Sequence, residues 1–343
     1  MGNIKTKCVI WDLDNTLWDG ILIEDKDVKL KNNIVNIIKT LDSRGILQSI
    51  CSKNDFSLAW NKLKEFNLEE YFIYPEINWN AKSIGVSNIA KNINIGIDTI
   101  AFIDDQVFER EEVKFKFPQV LSLDAAVIDS LLDMDEMNPR FITEDSKSRR
   151  MLYMNDIKRN KDEEIFEGTA EEFLKSLNLV FKVENVKADD LKRAEELTVR
   201  THQLNATGYT YSYEELEQLS KSDNHGVLIA QLEDKYGDYG KIGLALVEKK
   251  DKTWILKLLL MSCRVVSRGV GSVMLNYIMN KAKSENVKLL AEFVPTDRNR
   301  MMYITYKFNG FNETNNKDGK ILFKANLENM KEIPSYIKLL EKI

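Results

Sequence analysis

The sequence predicts a two-part α/β protein: a parallel sheet with a small flap and no large cap, then a second α/β domain of more antiparallel character. Three observations carry this expectation. Strand and helix patterns alternate through residues 1–142; two aspartates, Asp12 and Asp14, follow the first apolar run; and from residue 178 onward three strand patterns follow one another without intervening helices. At 343 residues the chain is long for a single core, so two domains are expected. The boundaries read from the pattern are 1–142 for the first domain, 143–177 for a helical connector and 178–343 for the second domain.

The first strand, residues 7–11, runs through Cys8, Val9, Ile10 and Trp11, an apolar series suited to a strand covered on both faces. Asp12 and Asp14 stand at i and i+2 just past it and leave the sheet on the same side, because strand side chains alternate. Two carboxylates so placed can share one divalent cation. One of them can attack a phosphoryl group while the other handles the proton. Alone, such a run is an ordinary turn; partners at ordered positions downstream favour the chemical reading.

Residues 17–25 contain Asp19-Gly20 between apolar neighbours, which predicts a hairpin flap and a site open to a bulky substrate. Ile34, Val35, Ile37, Ile38 and Leu41 have helical spacing. Gly45 then precedes a second strand at 46–51, leading to Ser52. Residues 59–66 read as helix, 72–74 as a short strand, 84–92 as helix, and 100–103 as a strand leading to Asp104-Asp105. Strands alternating with helices imply a parallel sheet, and in such sheets ligands sit beyond the carboxyl ends of the strands. Asp12, Ser52 and Asp104 all fall there, and Lys82 opens a helix.

Residues 143–162 are charged with helical patterning and read as the connector. Beyond them the pattern gives a strand at 180–183, a helix at 189–198, and strands at 227–232, 241–248 and 254–261. A helix at 270–283, a strand at 288–293 and a helix near 299–306 complete it. Gly269 and Gly271 open a helix and offer backbone amides to a pyrophosphate or pantetheine arm. A tight turn needing glycine for geometry is the plainer alternative.

With 43% hydrophobic and 30% charged residues and a net charge of −5, the composition is that of a soluble globular protein with no reason to bind nucleic acid. The most apolar stretch, 254–261, is broken by Lys257, so no membrane span is expected. Asp12 and Asp14 interrupt the first apolar run, so no signal peptide is read and a cytoplasmic location is expected. Met1-Gly2-Asn3-Ile4-Lys5-Thr6 fits the loose N-myristoylation pattern, a match short enough to arise by chance. Three cysteines without metal-like spacing argue for a reducing compartment. Two histidines, His202 and His225, leave hydrolytic chemistry to carboxylates or a cysteine.

Asp12, Asp14, Ser52, Lys82 and Asp104-Asp105, in that order, resemble the haloacid dehalogenase (HAD) superfamily of aspartate-nucleophile phosphotransferases over residues 5–125. The resemblance implies a HAD-type Rossmannoid sheet in which Asp12 forms an aspartyl-phosphate and Asp14 acts as general acid and then base. Thr16, Ser52, Lys53, Asn54 and Lys82 would bind substrate and phosphate. Mg²⁺ would be held by Asp12, the Asp14 carbonyl, Asp104 and Asp105. Residues 11–20, 50–54 and 104–111 further resemble the FkbH-like subfamily. Those proteins load a glyceryl unit from 1,3-bisphosphoglycerate onto the phosphopantetheine arm of an acyl carrier protein, through an enzyme thioester, in polyketide and tetronate pathways.

Segments 201–205, 236–240 and 262–269 resemble the same subfamily, and 299–311 resembles the closing element of a GNAT-like acyltransferase domain. The chain departs from these patterns at His202, Leu204, Gly271 and Val266, where the families more often carry Asn, Phe, an acidic residue, and Gln or Arg. Cys51, beside Ser52, is the first choice to carry the acyl group, with Lys53 near it to favour a thiolate. Cys263, flanked by Arg264 and Arg268, is a possible second acyl site, and Cys8 reads as a core residue. Two alternatives stand beside glyceryl transfer: a phosphatase acting on a small ester or phosphoprotein, and a non-catalytic carrier-binding module.

Overall fold

The computed structural model describes residues 5–25 and 27–342, so Gly2 and its myristoylation pattern lie outside the described residues. The chain divides into two compact units, Met1–Met154 and Asn155–Ile343. The division falls inside one helix of the stretch read as a connector.

In the N-terminal unit the elements run β1 (Cys8–Trp11), β2 (Trp18–Asp19), β3 (Lys29–Leu30), α1 (Ile34–Ser43), β4 (Leu47–Ser52) and α2 (Phe56–Glu65). They continue with β5 (Glu76–Ile77), α3 (Lys82–Ile93), β6 (Ile100–Asp104), α4 (Val107–Lys116), β7 (Leu121–Asp124) and α5 (Glu144–Lys147), after which α6 (Arg149–Glu164) begins in this unit and ends in the next. Five strands form a parallel sheet in the order β5-β4-β1-β6-β7. β1 lies at its centre with all four side chains buried, as its unbroken apolar sequence requires. Helix α1 turns Ile34, Ile37, Ile38 and Leu41 into the core, the face their spacing defines. β2 and β3 pair antiparallel as the small flap after Asp14, and no larger cap occurs among the described residues of the unit.

The short strand expected at 72–74 is displaced to Glu76–Ile77, with a single bridge from Gln48 to Phe72. Tyr74 has φ 49°, which takes the chain out of the extended conformation at the last residue of the expected strand.

In the C-terminal unit the elements are α7 (Ala170–Ser176), β8 (Leu179–Asn185), α8 (Leu191–Arg200), α9 (Tyr213–Ser220), β9 (His225–Asp234), β10 (Gly237–Lys250) and β11 (Thr253–Met261). They continue with α10 (Val270–Ser284), β12 (Lys288–Phe293), α11 (Arg300–Phe308), β13 (Phe311–Lys317), β14 (Lys320–Ala325) and β15 (Ile337–Lys342). Its eight-stranded sheet has the order β13-β14-β12-β11-β10-β9-β8-β15. It is antiparallel except for β11 against β12 and β8 against β15. The fold class expected from the sequence, a parallel α/β sheet with a small flap followed by a second, mixed α/β unit, is the one observed.

Two features fix the C-terminal unit internally. Arg159 is fully buried, pairs with Asp234 at 2.7 Å and with Asp156 at 2.7 Å, and lies 3.7 Å from the centre of the Tyr239 ring. Segment 204–206 joins β11 to the end of β12: Ala206 N donates to Leu259 O and Val294 N to Ala206 O. The buried Asn299 amide donates to the carbonyls of Asn205 and Val294 at 3.0 and 2.9 Å.

Candidate active site

Parallel register assembles the site. Trp11 lies opposite Ile50 on one side and Ile103 on the other. One residue further along, Asp12 therefore stands between Cys51 and Asp104 at the carboxyl edge of the sheet. Its backbone N–H still donates to Ile103 O at 2.9 Å, which holds the main chain in the ladder while the side chain leaves it.

Lys82 comes to this point from the first turn of α3. Its Nζ lies 2.5 Å from Asp12 Oδ1 and 3.0 Å from Asp104 Oδ2, and donates to Cys51 O at 2.8 Å. The side chain is 3% exposed. Burial acts to lower its pKa, but the carboxylates of Asp12 and Asp104 outweigh it and raise the net value, so the ammonium is kept charged. Helix α3 lacks a side-chain cap of its own; Glu112 of α4 accepts from Ser83 N at 2.9 Å and from the Ser83 hydroxyl at 2.5 Å, anchoring the turn that presents Lys82.

Asp12, Asp104 and Asp105 each offer a carboxylate oxygen, all within 4.8 Å of one another. Burial, then the nearby Asp12 charge, raises the pKa values of Asp104 and Asp105 above the ordinary carboxylate range. Asp104 Oδ2 and Asp105 Oδ1 are buried without a well-directed hydrogen bond; for the former, Lys82 Nζ is at ion-pair distance only. Unsatisfied hard oxygens converging on one point fit a small divalent cation such as Mg²⁺. The loop is held from two sides. Thr16 Oγ1 accepts from Asp105 N at 3.0 Å, and Arg110 Nη1 donates to the carbonyls of Asp104 and Asp105, each at 2.8 Å. Arg110, itself paired with Asp124, was not singled out from the sequence. A lone cation one turn into the helix after an aspartate pair was the available sign.

Asp14 is bound by three donors. Trp18 Nε1 and Leu22 N donate to Oδ1 at 2.8 and 3.1 Å, and Asn54 Nδ2 donates to Oδ2 at 3.0 Å. Burial nonetheless raises its pKa. The flap geometry that delivers Leu22 depends on Gly20, whose φ of 104° suits glycine and whose missing Cβ would sit 2.7 Å from Asp25 Oδ2.

Thr16 and Asn54, read as phosphate-binding, each bond to one of the site aspartates, Thr16 Oγ1 accepting from Asp105 N and Asn54 Nδ2 donating to Asp14 Oδ2. Ser52 ends β4 beside the aspartates and is buried. Lys53 pairs with the buried Glu109 at 2.7 Å. Cys51 is 4% exposed; its thiol donates to Lys82 O at 3.5 Å, and burial pushes its pKa up to about 12. Cys8 is buried within β1. Exposed Ile21, Ile23, Phe56, Trp79, Val107 and Phe108 occupy the flap, loops and first helical turns that follow the strand ends.

In the C-terminal unit Cys263 is half-buried at the start of a 3-10 turn that ends at Arg268. Arg268 is buried and paired with Glu163 at 2.9 Å. Gly269 adopts φ 71° at the start of α10, so the glycine answers to backbone geometry there. Beside it Leu204, Met261, Val265, Gly271 and Met302 line a small, largely apolar pocket of about 130 Å³.

No family model and no curated protein matches the chain. Among solved structures it is similar to the N-terminal part of a Bacteroides fragilis protein containing a phosphatase domain complexed with Mg (30% identity, 40% of this chain and 41% of that one, TM-score 0.35). It is also similar to the ribosomal-protein-S18-alanine N-acetyltransferase of Escherichia coli (16% identity, 42% and 92%, TM-score 0.34). A third similarity is to the PaiA N-acetyltransferase of Thermoplasma acidophilum in complex with coenzyme A (14% identity, 42% and 98%, TM-score 0.32). The chain thus spans less than half of the Bacteroides protein's solved part and nearly the whole of each acetyltransferase.

Proposed function

We propose that the N-terminal unit is a Mg²⁺-dependent phosphoryl-transfer site. The chain as a whole would move a glyceryl unit from 1,3-bisphosphoglycerate to an acyl carrier protein with release of phosphate. The observation that supports the first part is the buried cluster of Asp12, Lys82, Asp104 and Asp105 at the carboxyl edge of the parallel sheet. The second part rests on the resemblance of segments in both halves to FkbH-like proteins. The exposed apolar side chains beyond the strand ends suit a bulky partner such as a carrier protein.

Asp12 attacks phosphorus, forming the carboxylate–phosphorus bond as the bond to the leaving oxygen breaks, and Asp14 gives that oxygen a proton. Asp14 then takes a proton from the water that hydrolyses the aspartyl-phosphate. Lys82 neutralises charge on Asp12 and on the transferred group. Asp12, Asp104 and Asp105 would hold Mg²⁺, which when bound would supply electrostatic stabilisation of the phosphoryl group. For the acyl step, Cys51 Sγ bonds to the acyl carbon, the C1 phosphate leaves and the thiol proton goes to it. The thioester then passes to the carrier thiol, and Cys51 is re-protonated from that thiol.

Hydrolysis of a simple phosphate ester is the second reading. The burial of the Cys51 thiol and its pKa near 12 favour it, because a thiol held neutral is a poor nucleophile. Intact-mass measurement after mixing the protein with 1,3-bisphosphoglycerate and Mg²⁺ separates the two. A glyceryl adduct absent from the Cys51→Ser variant supports transfer through Cys51. An adduct lost only in Cys263→Ser moves the acyl site to the second unit. Absence of any adduct on enzyme or carrier, with phosphate still released, leaves a phosphatase.

A further inference from the structure

We propose that Trp18 and Asn54 are positioning residues that fix the Asp14 carboxylate so that Oδ2 is the oxygen that carries the proton; this rests on the acid–base reading of Asp14. Carboxylate oxygens each present two lone-pair directions. Oδ1 receives two donors, Trp18 Nε1 at 2.8 Å and Leu22 N at 3.1 Å, so both of its directions are taken. Oδ2 receives one, Asn54 Nδ2 at 3.0 Å, so a single direction is left for a proton.

Both donors are themselves immobilised. The Trp18 side chain is fully buried in the core and its ring packs 6.3 Å from that of Phe66. Asn54 is 1% exposed and its Oδ1 accepts from Asp55 N at 2.9 Å, which sets the amide orientation and directs Nδ2 at Asp14. The third donor, Leu22 N, comes from the flap. Three donors, two from the flap and one from the segment that follows β4, therefore determine the carboxylate plane. Neither Trp18 nor Asn54 gives or takes the proton itself; each acts through the Asp14 carboxylate to which it donates.

A proton delivered from Oδ2 matters only when the leaving oxygen needs one. An alkoxide leaving from an alkyl phosphate needs it, and a nitrophenolate does not. Turnover of 3-phosphoglycerate and of p-nitrophenyl phosphate with Mg²⁺ is therefore compared for the full-length protein and for Trp18→Phe and Asn54→Ala. Hydrolysis of the aspartyl-phosphate is common to both esters, so the first step is read alone as release of the alcohol in a single turnover. The expected result is a fall in that rate of at least roughly tenfold on the alkyl ester in both variants. KM should be little changed, and the loss on the nitrophenyl ester should stay within about threefold. Equal losses on the two esters, or losses confined to KM, would overturn the proposal, since a general loosening of the fold affects both esters alike. Should Trp18→Phe fail to fold, the ester ratio for Asn54→Ala decides the matter. Wild-type turnover that is absent or survives Asp12→Asn defeats the phosphoryl-transfer reading and this proposal with it, an outcome distinct from equal losses in an active enzyme.

Discussion

Lys82 Nζ sits 2.5 Å from Asp12 Oδ1 although 70 positions separate the two residues, and neither is exposed to more than a trace of solvent. The ion pair exists because β1 lies beside β4 in the sheet and α3 begins just beyond the short edge strand β5. A buried charge with one partner removed is costly, which makes the pair a sensitive probe of the site.

Lys82→Met leaves Asp12 and Asp104 facing each other without their cation. Turnover of a phosphate ester should fall by about 10²–10³-fold. The metal-free protein should lose about 3 kcal/mol of stability in urea unfolding. Added Mg²⁺ should recover part of that stability, because a divalent ion meets the same oxygens; no recovery would argue against a cation site at this cluster.

Thr16→Val keeps the shape of the buried side chain and removes the oxygen that accepts from Asp105 N. The expected outcome is a half-saturating Mg²⁺ concentration raised by about tenfold, with KM for the ester little affected. Measuring turnover against Mg²⁺ at saturating ester checks this. An unchanged Mg²⁺ requirement would show that the Asp105 loop is held well enough by Arg110.

Gly85 packs against Cys51: an added Cβ would lie 2.5 Å from Cys51 Sγ and 3.2 Å from Glu76 Cβ. Gly85→Ala should therefore destabilise the protein by about 1–3 kcal/mol despite the better helix propensity of alanine. In a Cys51→Ala background most of that penalty should disappear, and a double-mutant cycle by denaturant unfolding measures the coupling. Equal penalties in the two backgrounds would place the clash elsewhere.

Glu184 reports on the C-terminal unit. Hydrogen bonds from Lys241 at 2.9 Å and Lys187 at 3.0 Å lower its pKa from 4.5 to about 2. A depressed folded-state value means that the unfolded chain binds the proton more readily, so the stabilisation is complete above the unfolded value and fades as pH falls through the folded one. The difference in Tm between wild type and Glu184→Gln should be constant above about pH 5.5 and shrink between pH 4.5 and 2. A difference that stays constant down to pH 2 would exclude this linkage.

Much of the architecture was legible in the residues. The unbroken apolar run of β1, the 3.6-residue spacing in α1 and the alternation of elements all follow from local periodicity, which a chain carries wherever it is folded. The candidate nucleophile, the lysine and the aspartate pair were legible for the same reason, since each follows a strand or opens a helix. The short strand was misplaced because Tyr74, a residue of high strand propensity, adopts a positive φ that no local pattern announces.

By itself, then, the sequence determined which residues stand at the ends of which strands, and so which side chains are able to meet. Only the tertiary structure decided what each one touches. Parallel register placed Asp12 between Cys51 and Asp104, the flap brought Trp18 and Leu22 to Asp14, and Thr16 and Asn54 bond to Asp105 and Asp14. The reason is physical. A strand's period is local, whereas a hydrogen bond across 40 or 89 positions, such as Asn54 to Asp14 or Asp105 to Thr16, is set by how separate elements pack.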